Sequence, residues 1–336
     1  MESNVKISLI ICCYNSAIRL PKTLKHVANQ KTNFIYEVIL VDNNSNDNTS
    51  TIATEIWKSL KSNVSFEVIQ ESKAGLSFAR KKGFDVSRGE LIVYCDDDNW
   101  LDENYLQIGL DILNLNQRIG MLGGLGEEYI EGKKPIWFDK YRGFYAVGKQ
   151  SNNLGDITFT NGYVYGAGVF IRKKVLSNIY DKGFISQLTD RKGKVLVSGG
   201  DNELGYIIAL SGYQIFYNPK LKFKHFIPSE RLNFDYIKNL KKGSQKTYFI
   251  ISAYESKLFN RFYQFPKNRF SGILQTLKKL IKLKINYLNS KISNYEYELK
   301  FTQLFYRKLY QVLYYNSLKK GYLNALNNIN LVSNYK

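Results

Sequence analysis

The chain has 336 residues, 44% hydrophobic and 23% charged with only 5 Pro, which excludes a disordered or fibrous protein and gives length for one large core or a core with an appendage. Forty-eight Lys and Arg against 29 Asp and Glu leave a net charge of +19; from Arg231 onward 20 basic residues face 4 acidic ones, so +16 of that charge lies in the last third. Cys12, Cys13 and Cys95 sit within apolar runs and, being three, cannot all pair, which predicts reduced, buried thiols. The opening MESNVKISLIICCYN is too short an apolar run for a signal peptide, and no window reaches the roughly 18 apolar residues of a membrane span. A cytoplasmic protein is expected.

Residues 5–13 form an apolar, β-rich run ending in Tyr14-Asn15-Ser16, and residues 20–30 follow with helical spacing. Residues 37–41 read as a second buried strand running into the cap and turn formers of 42–49, then a helix to about Leu60. A third strand at 66–70, a helix at 75–87 and a fourth strand at 90–95 complete the alternation, which predicts a mostly parallel sheet with helices on both faces. In such a sheet ligands bind beyond the C-terminal strand ends, where Tyr14, Asp42 and Asp96-Asp97-Asp98 all fall.

Beyond Leu125 the pattern loosens into a Gly- and aromatic-rich stretch to Gly168, expected to form strands and loops that shape a pocket. A strand at 169–172, a helix at 202–211 and a short strand at 215–217 before Pro219 follow. From about Leu232 the chain reads as helical. Within 271–289, Ile273, Leu277, Leu280, Ile281, Ile285 and Leu288 share a face from which Lys278, Lys279 and Lys282 are excluded, a basic amphipathic helix. A second such helix carries Phe301, Leu304, Phe305, Val312 and Leu313 with Arg307, Lys308, Lys319 and Lys320.

Three consecutive carboxylates after a buried strand repel one another. Hard oxygen ligands of this kind suit Mg²⁺ or Mn²⁺, above all when diphosphate oxygens complete the shell. A metal–nucleotide site is therefore expected at Asp96–Asp98, with an acidic turn capping the next helix as the competing reading.

The ordered set of Ile10-Ile-Cys-Cys-Tyr14-Asn15, Val41-Asp42-Asn-Asn-Ser-Asn-Asp47, Lys73-Ala-Gly75-Leu-Ser-Phe-Ala79-Arg80, Asp96–Asp98, Pro135-Ile-Trp137-Phe138, Gly166-Ala-Gly168, Gly199-Gly-Asp201-Asn-Glu203-Leu204 and Phe223-Lys-His225-Phe-Ile-Pro228 resembles the family 2 glycosyltransferases of GT-A fold over roughly residues 5–235. The resemblance implies a catalytic domain over 1–230 and a basic, Tyr-rich helical region over 231–336. It implies an inverting transfer from a nucleoside-diphosphate sugar, a UDP-sugar first of all, to a hydroxyl of a glycan or lipid-linked acceptor in surface polysaccharide or lipopolysaccharide synthesis.

By that resemblance Tyr14 and Asp42 contact the base, Arg80 lies near the nucleotide or diphosphate, Asp96 and Asp97 serve the nucleotide sugar, and Asp98 with His225 holds the divalent cation. A Tyr ring offers a stacking face and a carboxylate accepts from a base N–H, although Asp42 also reads as a helix N-cap. His225 otherwise reads as a packed histidine, and His26 as structural. Asp201 is the expected general base, with Glu203 behind it. Relatives often carry Glu-Asp where this chain has Gly200-Asp201, so the acidic neighbour is missing here. Trp137, Phe138 and Tyr163 are candidates for stacking on sugars or for the core.

A sugar nucleotidyltransferase would also use a parallel sheet and a carboxylate-bound metal, but no Gly-rich phosphate loop follows the first strand. Net charge and 26 Tyr suggest a nucleic-acid binder only until the charge is located outside the loop-bearing segment. The basic helices fit an anionic membrane surface, which would place the protein peripherally on the inner face of the cell membrane, or they pack on the catalytic domain.

Overall fold

The computed structural model describes residues 5–188, 190 and 198–333. Its first half alternates β1 (Ile7–Cys13), α1 (Leu20–Ala28), β2 (Tyr36–Asp42), α2 (Thr49–Leu60), β3 (Ser65–Gln70), α3 (Leu76–Val86) and β4 (Leu91–Asp96). These four strands are parallel in the order β3-β2-β1-β4, in a register that sets Cys13 opposite Asp42 and Cys12 opposite Asp96. The strand ends that carry Tyr14, Asp42 and Asp96 therefore share one edge.

Continuous apolar runs make β1, β2 and β4 because both faces are covered, while the edge strand β3 alternates exposed and half-buried residues. Leu9, Ile11, Val38, Leu40 and Val93 pack under α1 and α2 on one face. Ile10, Ile39, Ile92 and Tyr94 pack on the other.

The sheet continues through β5 (Asn99–Leu101), α4 (Tyr105–Leu115), β6 (Ile119–Ile130), α5 (Phe138–Tyr141), β7 (Gly155–Asp156), β8 (Val169–Arg172), α6 (Lys173–Asp181), α7 (Gly200–Leu210) and β9 (Gln214–Ile227). β8 runs antiparallel between β4 and β6, and β9 pairs parallel with β6 and antiparallel with β5 and β7. β9 is far longer than the 215–217 strand expected from the sequence. Its pairing with β6 jumps from Gly123–Tyr217 to Leu125–Lys222, so Pro219 falls in the irregularity, where no ladder N–H is required of it. The extension brings His225 opposite Asn99.

Three helices follow: α8 (Phe234–Leu258), α9 (Ile273–Leu288) and α10 (Asn294–Ser333), the last kinked at Tyr314. Asn233 caps α8 by accepting from the Tyr236 N–H. Ile250, Ala253, Tyr254 and Leu258 of α8 and Ala325, Ile329 and Val332 of α10 enter the same apolar cluster as Tyr206, Ile207 and Ile208 of α7. The second expected amphipathic helix differs from its sequence pattern. Arg307 lies over the Tyr248 ring at 3.4 Å and donates to Gln245, and Lys308 donates to the Ser271 carbonyl, so part of its basic face is spent on packing. Among the described residues no helix is long and apolar enough to cross a membrane.

Buried Glu203 on α7 joins these layers, accepting from Ser186 (2.6 Å), the backbone of Gln187 and Leu188, and Tyr254 of α8 (3.0 Å), whose hydroxyl in turn accepts from Asn328 of α10 (3.1 Å). Removing one donor from a buried carboxylate costs about 1–3 kcal/mol. Tyr254→Phe is expected to lower the melting temperature by several degrees in thermal denaturation; an unchanged melt would mean that the helices do not brace α7 through this bond.

Candidate active site

The loops after β1 and β2 are knitted together. Asn15 donates its N–H to Ser45 and accepts from the Asn46 N–H, and Ser16 donates its N–H to Thr49. Tyr14 stands out of this loop, 40% exposed. Asp42 accepts from the Ser45 N–H (2.9 Å) and the Ser50 hydroxyl (2.5 Å). Burial opposes its charge, but these bonds outweigh burial and hold the carboxyl below the usual range.

The three carboxylates after β4 separate in role. Asp97 turns inward to α1, paired with Arg19 (2.6 Å) and bonded by Ser16, while Thr23 donates to its backbone carbonyl. Burial first, then the neighbouring Asp98 charge, push its carboxyl up against the pull of Arg19. The expectation that Asp97 serves the nucleotide sugar is thereby corrected: its oxygens are occupied inside the fold and anchor the turn.

Asp98 faces the opposite way. Its Oδ2 lies 3.1 Å from Arg231 Nη1 and its Oδ1 3.4 Å from His225 Nε2, and its carbonyl accepts from the Phe226 N–H. The Nδ1 of His225 is buried without a hydrogen-bond partner. Arg231, which the sequence reading missed, sits in a one-turn helix over Ser229–Arg231 held by Tyr145, whose hydroxyl donates to the Arg231 carbonyl (2.7 Å). Only its position just past the His225–Pro228 motif hinted at it.

A second cluster forms where α3 meets α7. Arg80 Nη1 donates to Asp201 Oδ1 at 2.6 Å and lies 3.8 Å from Asp190 Oδ2, with its guanidinium near the Tyr94 ring. Asp201 Oδ2 accepts from the Gly166 N–H (2.9 Å). Burial would weaken the Arg80 charge, but Asp201, Asp190 and Asp96 outweigh it and raise its pKa. Arg80 was expected near the nucleotide or diphosphate; its side chain is buried and paired with Asp201. Asp201 lies in the first turn of α7 behind Gly199, which occupies the cap.

Asp190 was also missed. It accepts the Gly200 N–H (2.7 Å), and a Cβ at position 200 would collide with its carboxylate. The glycine that replaces an acidic side chain thus makes room for one arriving from ten residues earlier. That glycine was the only signal in the sequence.

The other candidates differ in their surroundings. Glu203 cannot act as a fallback base, because it is buried among Ser186, Tyr254 and backbone N–H donors. Phe138 is fully buried against Tyr145, and Trp137 packs edge-on to Phe234 and Tyr295, so both belong to the core that joins the sheet to the C-terminal helices. Tyr163 is half-buried and edge-on to Tyr206. His26 bonds the Leu101 carbonyl (3.0 Å), and the three cysteines are free, Cys13 and Cys95 buried and Cys12 half-buried.

The sequence model of the family described as Glycosyl transferase family 2 matches residues 8–180, just over half of the chain. The chain belongs to that family, and its mixed sheet is a GT-A fold. It is 30% identical over 129 residues to the poly(ribitol-phosphate) β-N-acetylglucosaminyltransferase TarP of Staphylococcus aureus, covering 38% of each chain. It spans only 28–38% of the length of the first curated relatives it matches. Among solved structures, S. aureus TarS 1–349 in complex with UDP superposes with a TM-score of 0.53 at 15% identity, covering 93% of this chain and 92% of that one. The mannosyltransferase PcManGT of Pyrobaculum calidifontis, solved with GDP-Man and Mn²⁺, gives 0.55 at 14% identity, covering 98% and 87%. None of this favours a nucleotidyltransferase or a non-catalytic nucleic-acid binder.

Burial first, and then the charge of Asp201, push the Asp190 carboxyl from 3.8 up to about 7, against Arg80 and the Gly200 N–H. An acid whose pKa is raised by folding keeps its proton in the fold after the unfolded chain has lost it, so its contribution to stability falls as pH rises through that window. Thermal melts from pH 4 to pH 7 should therefore move against the wild type relative to Asp190→Asn. Parallel curves would show that Asp190 is not held in this buried cluster.

Proposed function

We propose that the chain is an inverting glycosyltransferase that moves a sugar from a nucleoside-diphosphate sugar, a UDP-sugar first of all, to a hydroxyl of a glycan or lipid-linked acceptor in surface polysaccharide or lipopolysaccharide synthesis. The observation that carries this reading is the pairing of two corners on one sheet edge, Asp98 with His225 and Arg231 at one and Arg80-held Asp201 at the other. The catalytic domain is read as residues 1–230, with the basic helical region over 231–336 holding the protein peripherally at the inner face of the membrane.

Tyr14 supplies an exposed stacking face for the base, and Asp42, kept ionised by its serines, accepts from a base N–H. Asp96 serves the ribose. The donor set at the next corner, a carboxylate oxygen and an imidazole nitrogen 3.4 Å apart beside Arg231, suits a divalent cation that takes its remaining oxygens from diphosphate. Asp98 and His225 would hold Mn²⁺ or Mg²⁺ there, and the cation would offset the negative charge that grows on the leaving diphosphate.

Arg231, released from Asp98, offers its fork to the same phosphates. Asp201 Oδ takes the proton of the acceptor hydroxyl as that oxygen bonds to the anomeric carbon; the bond from that carbon to the diphosphate oxygen breaks, and its electron pair leaves with the diphosphate. Attack from the face opposite the leaving group inverts the anomeric centre. Arg80 and the Gly166 N–H hold the Asp201 carboxylate aimed.

Thermal-shift and calorimetric titration with UDP, GDP and dTDP, with and without Mn²⁺, tests the donor corner, since a ligand of the native state raises apparent stability by mass action. One nucleoside diphosphate should bind with metal, and Asp98→Ala should abolish it. Asp201→Asn should then bind that nucleotide normally while transfer falls by about 10²–10⁴-fold. Binding indifferent to metal and to Asp98→Ala would overturn the assignment of this corner, and full turnover by Asp201→Asn that of the base.

A further inference from the structure

Between Glu255 and Glu296 lie forty residues without a single Asp or Glu, and with nine Lys and Arg, every one of them exposed. The same segment holds seven large exposed apolar side chains. Phe262 and Phe270 precede α9, and Leu274, Leu277, Ile281, Ile285 and Leu288 lie on it, each of those five 49–75% exposed. Apolar side chains scattered singly on a surface need no explanation, but these are aligned.

At 3.6 residues per turn the five α9 residues fall within about 40° either side of Ile281, one straight stripe along the whole helix. Leu283, on the opposite side, is the buried contact of α9, while Leu280 and Ile273 are half-buried. The single apolar face read from the sequence is thus two: one seats the helix, and one is exposed among the described residues. Lys278 and Lys284 flank the uncovered stripe, about 60° to either side, with Lys282 beyond. An apolar stripe with long cationic side chains on its flanks is the arrangement of a helix lying in a membrane interface, its apolar side chains among the acyl chains and its lysine heads at the phosphates.

We propose that this face of α9, with Phe262 and Phe270, docks on the surface of an anionic lipid bilayer. Charge decides the occupant. A second copy laid stripe to stripe would bring Lys278 and Lys284 against their own kind, with no acidic residue on the segment to answer them, whereas anionic headgroups answer these flanking cations. The proposal rests on the peripheral-membrane reading above; absent wild-type flotation would overturn both, whereas wild-type flotation that the variants leave undiminished would overturn only the face assigned here.

The experiment is flotation of the full chain with vesicles of phosphatidylcholine alone or with phosphatidylglycerol, at low and high salt. The wild type should float with anionic vesicles at low salt and lose most binding in neutral vesicles and at high salt. Ile281→Asp with Ile285→Asp, and separately Lys278→Glu with Lys284→Glu, should each weaken binding at least tenfold while the melting temperature and nucleoside-diphosphate binding stay as in the wild type. Undiminished flotation of both variants would overturn the proposal. So would a wild-type dimer in sedimentation that Ile281→Asp with Ile285→Asp dissolves, since a second copy would then own the stripe.

Discussion

Like charges crowded at one edge of a sheet must be separated or neutralised, and this constraint shapes most of the molecule. Parallel pairing in register brings the ends of β1, β2 and β4 together, and with them Asp42, Asp96, Asp97 and Asp98; α7 adds Asp201, and the segment before it adds Asp190. Each partner of these carboxylates comes from a different element. Arg19 of the loop before α1 answers Asp97, Arg231 after β9 answers Asp98, Arg80 of α3 is shared by Asp190 and Asp201, and serines of the β2 loop serve Asp42. The acidic edge is thus also what ties the helices to the sheet.

The arrangement divides the carboxylates by what their partners leave available. Asp97 and Glu203 are enclosed by fixed donors within the protein and have a structural part. Asp98 has among its partners an arginine and an imidazole, groups that diphosphate and a cation can engage in their turn. Asp201 keeps an arginine and a backbone N–H, which orient it while leaving it more open than the fully buried Asp190. Chemistry and architecture use the same residue type here, and only the completeness of the hydrogen bonding distinguishes them.

That distinction explains what was legible in the sequence. β1, β2 and β4 were readable because strands covered on both faces are continuous apolar runs, and the residues at their ends could be placed before any fold was known. β9 was read as three residues because Pro219 interrupts a run that pairing carries past a bulge. Asp97 could not be told from Asp98, since a turn of three identical residues carries no periodicity to say which side each one faces. Trp137 and Phe138 look alike in a loop whether they meet a sugar or Tyr145 and Phe234, and only the folded C-terminal helices decide for the core. Arg231 and Asp190 act across long sequence separations from segments without pattern.

The Gly200–Asp190 pair shows how a lost side chain becomes informative once geometry is known. A side chain before Asp201 would enter the space that the Asp190 carboxylate fills; with glycine there, Asp190 accepts the Gly200 N–H at the start of α7. Arg80 then has two carboxylates around it, and Asp201 keeps an oriented cation. A glycine in place of an expected acid is therefore better read as a request to find the replacement in space than as a damaged site.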